Sequence, residues 1–282
     1  TFTNLVLQNN EASGSGGGVY GNGTFTNLVL QNNEASGSGG GVYGSGTFEE
    51  VTAEGNTAAS FGGGLYVTGS SVIRNITISS NEATNRNGGG LYVRRNAVDL
   101  VNGTLINNTA NSGAGGGLSV NKDSRFRASQ IRFLGNTAAS GGGAFLEVED
   151  APVLSNTLFS GNVADNGGGV YINVVSSTNT FPKLINLTFA NNEAQGTGHG
   201  GAIYSNGSNS FPFIYNNVLW GNTSGDSGGS EELFISGGEP VVTHSTIEGG
   251  LPPDAFGNGG NLSNDPLFVN ASGPDNTPGT DD

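Results

Sequence analysis

The sequence predicts an all-β solenoid, coil laid upon coil, and three observations predict it. The first is a copied unit: residues 1–23, TFTNLVLQNNEASGSGGGVYGNG, return as residues 24–46 with only Asn22 exchanged for Ser45. The second is that a diverged form of this unit runs through the chain in register. Its marker is Asn10, Asn33, Asn56, Asn81, Asn108, Asn136, Asn162, Asn192 and Asn222, spaced 23 to 30 residues apart. The third is strict alternation of apolar and other residues on both sides of that marker, the signature of short strands. The period is too short for a propeller blade of about 40 residues. Glycine clusters in every unit exclude helical repeats, since each Gly costs a helix about 1 kcal/mol.

Each element of the unit has a reason. Apolar pairs precede the Asn, as Leu5/Leu7, Leu28/Leu30, Ile76/Ile78, Ile131/Phe133 and Leu187/Phe189, and their spacing of two puts both members on one face. Stacked copies of the Asn make a column of amides that hydrogen bond from coil to coil. Ala follows two positions later in eight of the nine units, from Ala12 to Ala194, and marks a tight inner corner. A glycine cluster then supplies a turn where a Cβ has no room. After it the alternation resumes as Leu65-Tyr66-Val67, Leu91-Tyr92-Val93, Leu118-Ser119-Val120, Ala144-Phe145-Leu146 and Val170-Tyr171-Ile172. The outer pair of each triplet faces the core and the middle residue faces out. Strands of successive coils pair in parallel, so the expected architecture is a parallel β-solenoid of about ten coils of 23–30 residues. Residues 1–250 form the coils, and residues 251–282 a C-terminal capping or linker segment.

Composition narrows the partners. Net charge is −14, with 9 Lys and Arg against 23 Asp and Glu, which opposes binding to nucleic acid or to an anionic membrane. There is no Cys, hence no disulfide framework or thiolate metal site. No run reaches the roughly 18 apolar residues of a membrane span, and no signal peptide is present within the sequence. An extracellular or cell-surface setting is expected. Thr1 enters a standard coil at once, so either residues are missing upstream or an open edge pairs with another subunit, head to tail. The chain itself is therefore the first expected partner.

The pairing of Phe-x-x-Asn with Gly-Gly-Ala-apolar resembles the repeats of the polymorphic outer-membrane protein family of bacteria. It stands here as Phe133-Leu134-Gly135-Asn136, Phe159-Ser160-Gly161-Asn162 and Phe189-Ala190-Asn191-Asn192, with Gly142-Gly143-Ala144-Phe145 and Gly200-Gly201-Ala202-Ile203. The wider class is the pectate-lyase-like right-handed parallel β-helix, and NLSNDPLFVNASGPDNTPGTDD is similar to the closing segment of secreted bacterial β-helix repeat proteins. The resemblance covers roughly residues 1–270. It implies a surface-exposed passenger, an adhesin or a structural element.

The same fold also carries pectin-cleaving enzymes, whose catalytic sets have recognisable residues. Gly198-His199-Gly200 is similar to the Gly-His-Gly of polygalacturonases, but those enzymes need clustered Asp residues on preceding coils and a later basic residue. Asp165 stands alone upstream and no Lys or Arg follows His199, so His199 is read as a variant of the glycine turn. Counting from the glycines places Arg94, Asn121 and Glu147 in one outward column, with Asp123 beside Glu149. A calcium held by these carboxylates with an Arg base is one reading, and salt bridging along a solvated face is the cheaper one. No catalytic residue and no cofactor is assigned.

The outward middle positions, Tyr20, Tyr43, Tyr66, Tyr92, Ser119, Phe145, Tyr171 and Tyr204, form an aromatic stripe. Either its rings simply support one another across strands, or they offer a face to sugar rings or a neighbouring rod. Nine Asn-x-Ser/Thr sequons occur, at Asn22, Asn75, Asn102, Asn107, Asn186, Asn206, Asn222, Asn261 and Asn270. The expected function is a non-enzymatic rod, stalk or filament subunit; the alternative is a polysaccharide-binding or polysaccharide-cleaving β-helix.

Overall fold

The computed structural model describes residues 1–225 and 232–268. It is a parallel β-solenoid of about nine turns, with no helix among the described residues. A long sheet of 13 strands and two sheets of nine strands each run along it. One coil serves for all. Gly23–Gln31 lies in the long sheet, Asn32 turns the chain with φ 52°, and Glu34–Ala35 forms the second sheet. The glycines follow, then Val42–Gly44 in the third sheet, and Gly46–Glu54 returns one level up. Pairing is parallel, and the copied units sit residue on residue: Phe2 on Phe25, Leu5 on Leu28, Leu7 on Leu30.

The core is a column of apolar side chains inside the coil. Leu28, Leu30, Ile76, Ile78, Ile131, Phe133 and Phe189 are buried, as are the outer members of the post-glycine triplets, among them Leu91, Val93, Val170 and Ile172. Identical side chains stack. Phe133, Phe159 and Phe189 lie parallel at 4.6 and 4.8 Å between ring centres, and Phe2, Phe25 and Phe48 do the same at 5.1 and 4.6 Å. The glycine turn is as tight as expected. A Cβ on Gly40 would stand 2.3 Å from the Gly63 carbonyl oxygen and 2.5 Å from that of Thr57, both of them backbone that cannot yield.

The structure adds a bend that the sequence reading did not contain. Phe25 and Leu28 both face the core, though residues three apart in a regular strand point to opposite faces. Asn27 between them is left-handed, with φ 49°, and resets the alternation. Asn75, Asn102, Asn156, Asn186 and Asn216 take the same conformation on later coils, as suits the non-glycine residue that tolerates it best. Their side chains point outward and join in a second ladder. Asn27 donates to Asn4 at 2.8 Å, Asn102 to Asn75 at 2.7 Å and Asn216 to Asn186 at 2.8 Å.

At the C-terminal end, Phe256–Gly257 pairs with Val241–Thr243 in the long sheet. The Leu262 N–H donates to the Ser245 carbonyl, and the Ile247 N–H donates to the Leu262 carbonyl, each at 2.9 Å. Residues 269–282, with the sequon at Asn270, lie outside the described residues.

Candidate functional site

The marker asparagines line the corner between the long and second sheets, and from Asn33 to Asn222 all are buried. Each has one pattern of bonds. The Asn136 amide donates to the Asn162 side-chain oxygen at 2.9 Å and back to the Leu105 carbonyl at 2.9 Å. The Asn136 main-chain N–H donates to that same Asn162 oxygen at 3.0 Å. The pattern repeats from Asn10, the exposed first member, upward to Asn222. Every side-chain amide of the column thus donates toward the next coil. As a sequon, Asn222 is fully engaged in the column, whereas Asn75, Asn102, Asn107 and Asn186 are exposed.

The coil above Asn222 brings no Asn, and a carboxyl takes its place. Glu232, 2% exposed, receives the Asn222 amide on Oε2 at 2.6 Å and the Asn222 main-chain N–H on Oε1 at 3.2 Å. Burial pushes the Glu232 carboxyl up to about 8, with the Glu248 carboxylate adding to the rise and the two bonds from Asn222 opposing it. An acid whose native pKa lies above its unfolded value holds its proton better when folded. Its contribution to stability is therefore complete below the ordinary carboxylate range and shrinks as pH rises to about 8. Urea midpoints are expected to fall between pH 5 and that value, and Glu232→Gln to flatten the slope. An unchanged slope in the variant would remove Glu232 as its source.

The aromatic stripe forms one stacked column interrupted at a single level. Tyr20, Tyr43, Tyr66 and Tyr92 follow one another at 5.0, 4.5 and 5.1 Å. Phe145, Tyr171 and Tyr204 continue at 5.3 and 4.6 Å, and Phe234 extends the column at 5.0 Å. Ser119 occupies the level between Tyr92 and Phe145, paired in register with both. The stripe is not exposed along its length. Tyr20 is 69% exposed, but Tyr66 and Tyr92 are 3% and 5% exposed because Phe61, from the preceding turn, lies across them. The Arg86 guanidinium in turn sits over the Phe61 ring at 5.8 Å. Burial pushes the Tyr92 hydroxyl up to about 12.

The polar candidates are only partly brought together. The Asn121 amide donates to Glu147 at 3.4 Å, but Arg94 turns away to donate to the Tyr66 hydroxyl at 3.4 Å. Lys122 pairs with Glu149 at 3.3 Å across an exposed face, and Asp123 is exposed beside them. Among the described residues no three carboxylates or imidazoles converge in a way that would hold a metal ion. His199 stacks on Phe234 at 4.1 Å, and its main-chain N–H donates to Asn166 at 3.1 Å. It thus stands in the glycine turn, while Asp165 is exposed.

No helix among the described residues is long and apolar enough to cross a membrane. No curated protein and no solved structure matches the chain. The family of right-handed β-helix regions matches over residues 1–137 and 40–219, most of the chain. With the described turns stacked in parallel and this match reaching from residue 1 to residue 219, the chain belongs to the right-handed β-helix family.

Proposed function

We propose that the chain is a non-enzymatic structural or adhesive rod, working outside the cell or at its surface, whose coils supply length and which stacks end to end. The observation that carries this reading is the residue-on-residue register of the two copied units. A coil that bonds only to its neighbours can be added without disturbing any other contact, and near-identity of residues 1–23 with 24–46 is what such an addition leaves behind. At about 4.8 Å per coil, nine coils make a rod of about 43 Å. A surface dominated by carboxylates suits a solvated exterior.

Negative-stain electron microscopy across a range of protein concentrations tests the stacking. Fibres one solenoid wide, lengthening with concentration, are the expected result, and isolated short rods at every concentration would remove end-to-end assembly. Release of reducing or unsaturated sugar ends from a panel of plant and microbial polysaccharides would overturn the non-enzymatic part.

A further inference from the structure

The outward face of the long sheet bears its charges in a self-complementary order. Phe2–Gln8 and Gly23–Gln31, on the first two coils, have none. The third coil, Gly46–Glu54, has three carboxylates, Glu49, Glu50 and Glu54. Ser71–Ser79 on the fourth has only Arg74, and Asn96–Ile106 on the fifth only Asp99. Ser124–Leu134 on the sixth has three guanidiniums, Arg125, Arg127 and Arg132, and Val153–Ser160 on the seventh is uncharged. Turned about the gap between the fourth and fifth coils, three negative charges meet three positive, and one positive meets one negative. Glu50, Glu54, Arg74, Asp99, Arg125 and Arg127 are exposed. Asp99 and Arg127 are neighbours in register, yet neither enters a salt bridge among the described residues.

We infer that this face binds a second copy of the chain, side by side and antiparallel, about a two-fold axis that runs along the strands between the fourth and fifth coils. Such an interface is isologous: each third coil meets the sixth of the other copy, and each fourth meets the fifth. An axis along the strands keeps every residue's position along the strand. In the register of the sheet Arg127 stands over Thr47, and Arg132 over Thr52. Across the axis the order is therefore Arg127, Glu49, Arg132, Glu54. Bases and acids interleave two or three residues apart, about 7–10 Å, an offset that two long side chains close between them. Eight coils overlap, with strands of about nine residues, so about 1,100 Å² of each copy is covered, above the roughly 800 Å² per partner of a standard interface. Like charges are kept apart as well. Eleven Asp and Glu but no Lys or Arg follow Lys183, and Glu239, Glu248 and Asp254 of the two copies stand at opposite ends of the pair. A second copy answers both the acidic and the basic coil, whereas an acidic partner of another kind would be repelled by Glu49, Glu50 and Glu54. Exposed ion pairs contribute little one by one, so the pair is weak and rods diluted for microscopy stay single. The contact is lateral and does not depend on end-to-end stacking.

Sedimentation velocity and small-angle X-ray scattering on the full chain test it, with protein raised from about 10 µM to about 1 mM to bracket a weak complex. A dimer wider than the single rod is expected, and growth in length alone would overturn it. At about 1 M salt, where the Debye length is about 3 Å, the pair should come apart. Arg125→Glu with Arg127→Glu should weaken it at least about ten-fold, and so should Glu50→Lys with Glu54→Lys, since each sets like charges opposite one another. Mixing the two variants in equal amounts should restore pairing, because each then presents the charge that the other lacks. These positions are exposed, so circular dichroism should match that of the parent chain. The salt response of the unaltered chain decides even where a variant misfolds, and a pair that persists at about 1 M salt would overturn its electrostatic basis. Rods that stay single at every concentration, dimers that persist in either variant alone, or a mixture of folded variants that fails to pair would each overturn the interface. Retention of such single rods on polyglutamate resin would give the sixth coil to a foreign acidic partner instead.

Discussion

Asn136→Ala should destabilise the protein by about 4 kcal/mol, whereas Asn10→Ala, the same deletion at the open end of the column, should cost less than about 1 kcal/mol. The central side chain makes two bonds, to Asn162 and to the Leu105 carbonyl, and receives two more from Asn108, its amide and its main-chain N–H each at 3.0 Å. Removing it leaves buried donors and an acceptor with no access to water, at about 1–3 kcal/mol for each group left unmade. Asn10 is exposed, so water can replace the bonds that its side chain gives up. Urea unfolding of the two variants reads the contrast. Because each coil touches only its neighbours, hydrogen exchange should quicken around residues 105–110 and 160–164 and spare the ends. Equal losses for the two variants would mean that the column contributes nothing beyond local turn geometry.

The second large effect is expected at Phe159. Its ring is fully buried and lies within 4° and 6° of parallel to Phe133 and Phe189. Phe159→Ala opens a cavity the coils cannot close, because their spacing is set by backbone hydrogen bonds on either side. The cost should be about 3–5 kcal/mol. Phe181→Ala, at a ring 42% exposed, is the control and should cost less than about 1 kcal/mol. Thermal and urea midpoints measured side by side decide the matter, and a Phe159 variant as stable as the Phe181 variant would show that the stack carries no load.

Much of this was legible because a solenoid writes its structure as columns. The buried Asn column, its Ala partner and the inward pairs stand at fixed offsets, and periodicity alone recovers them. The second Asn column escaped for a physical reason: Glu50, Gln130 and His244 share its left-handed conformation, since an exposed turn accepts several polar side chains. The phase reset that it causes hid Phe25 and Phe48 from a count based on alternation. Glu232 was invisible because it reaches the column only 10 residues after Asn222, where every earlier step was 23 to 30. The aromatic column itself, with its gap at Ser119, was plain in the sequence. Its burial was not, because Phe61 and Arg86 come from turns and do not recur.

The Asn-to-Asn bonds of the column all run one way and give the rod an electrical direction. Side-chain amide dipoles laid end to end add, as peptide dipoles do along a helix, and hydrogen bonds in such a chain polarise one another. The column therefore has a donor pole at Asn222, which closes on the Glu232 oxygens, and an acceptor pole toward Asn10. Coils inserted between the poles lengthen this array without reversing it. Two rods meeting by like ends would oppose their dipoles, and two meeting by unlike ends would continue them, so the column gives any assembly along the axis a preferred polarity.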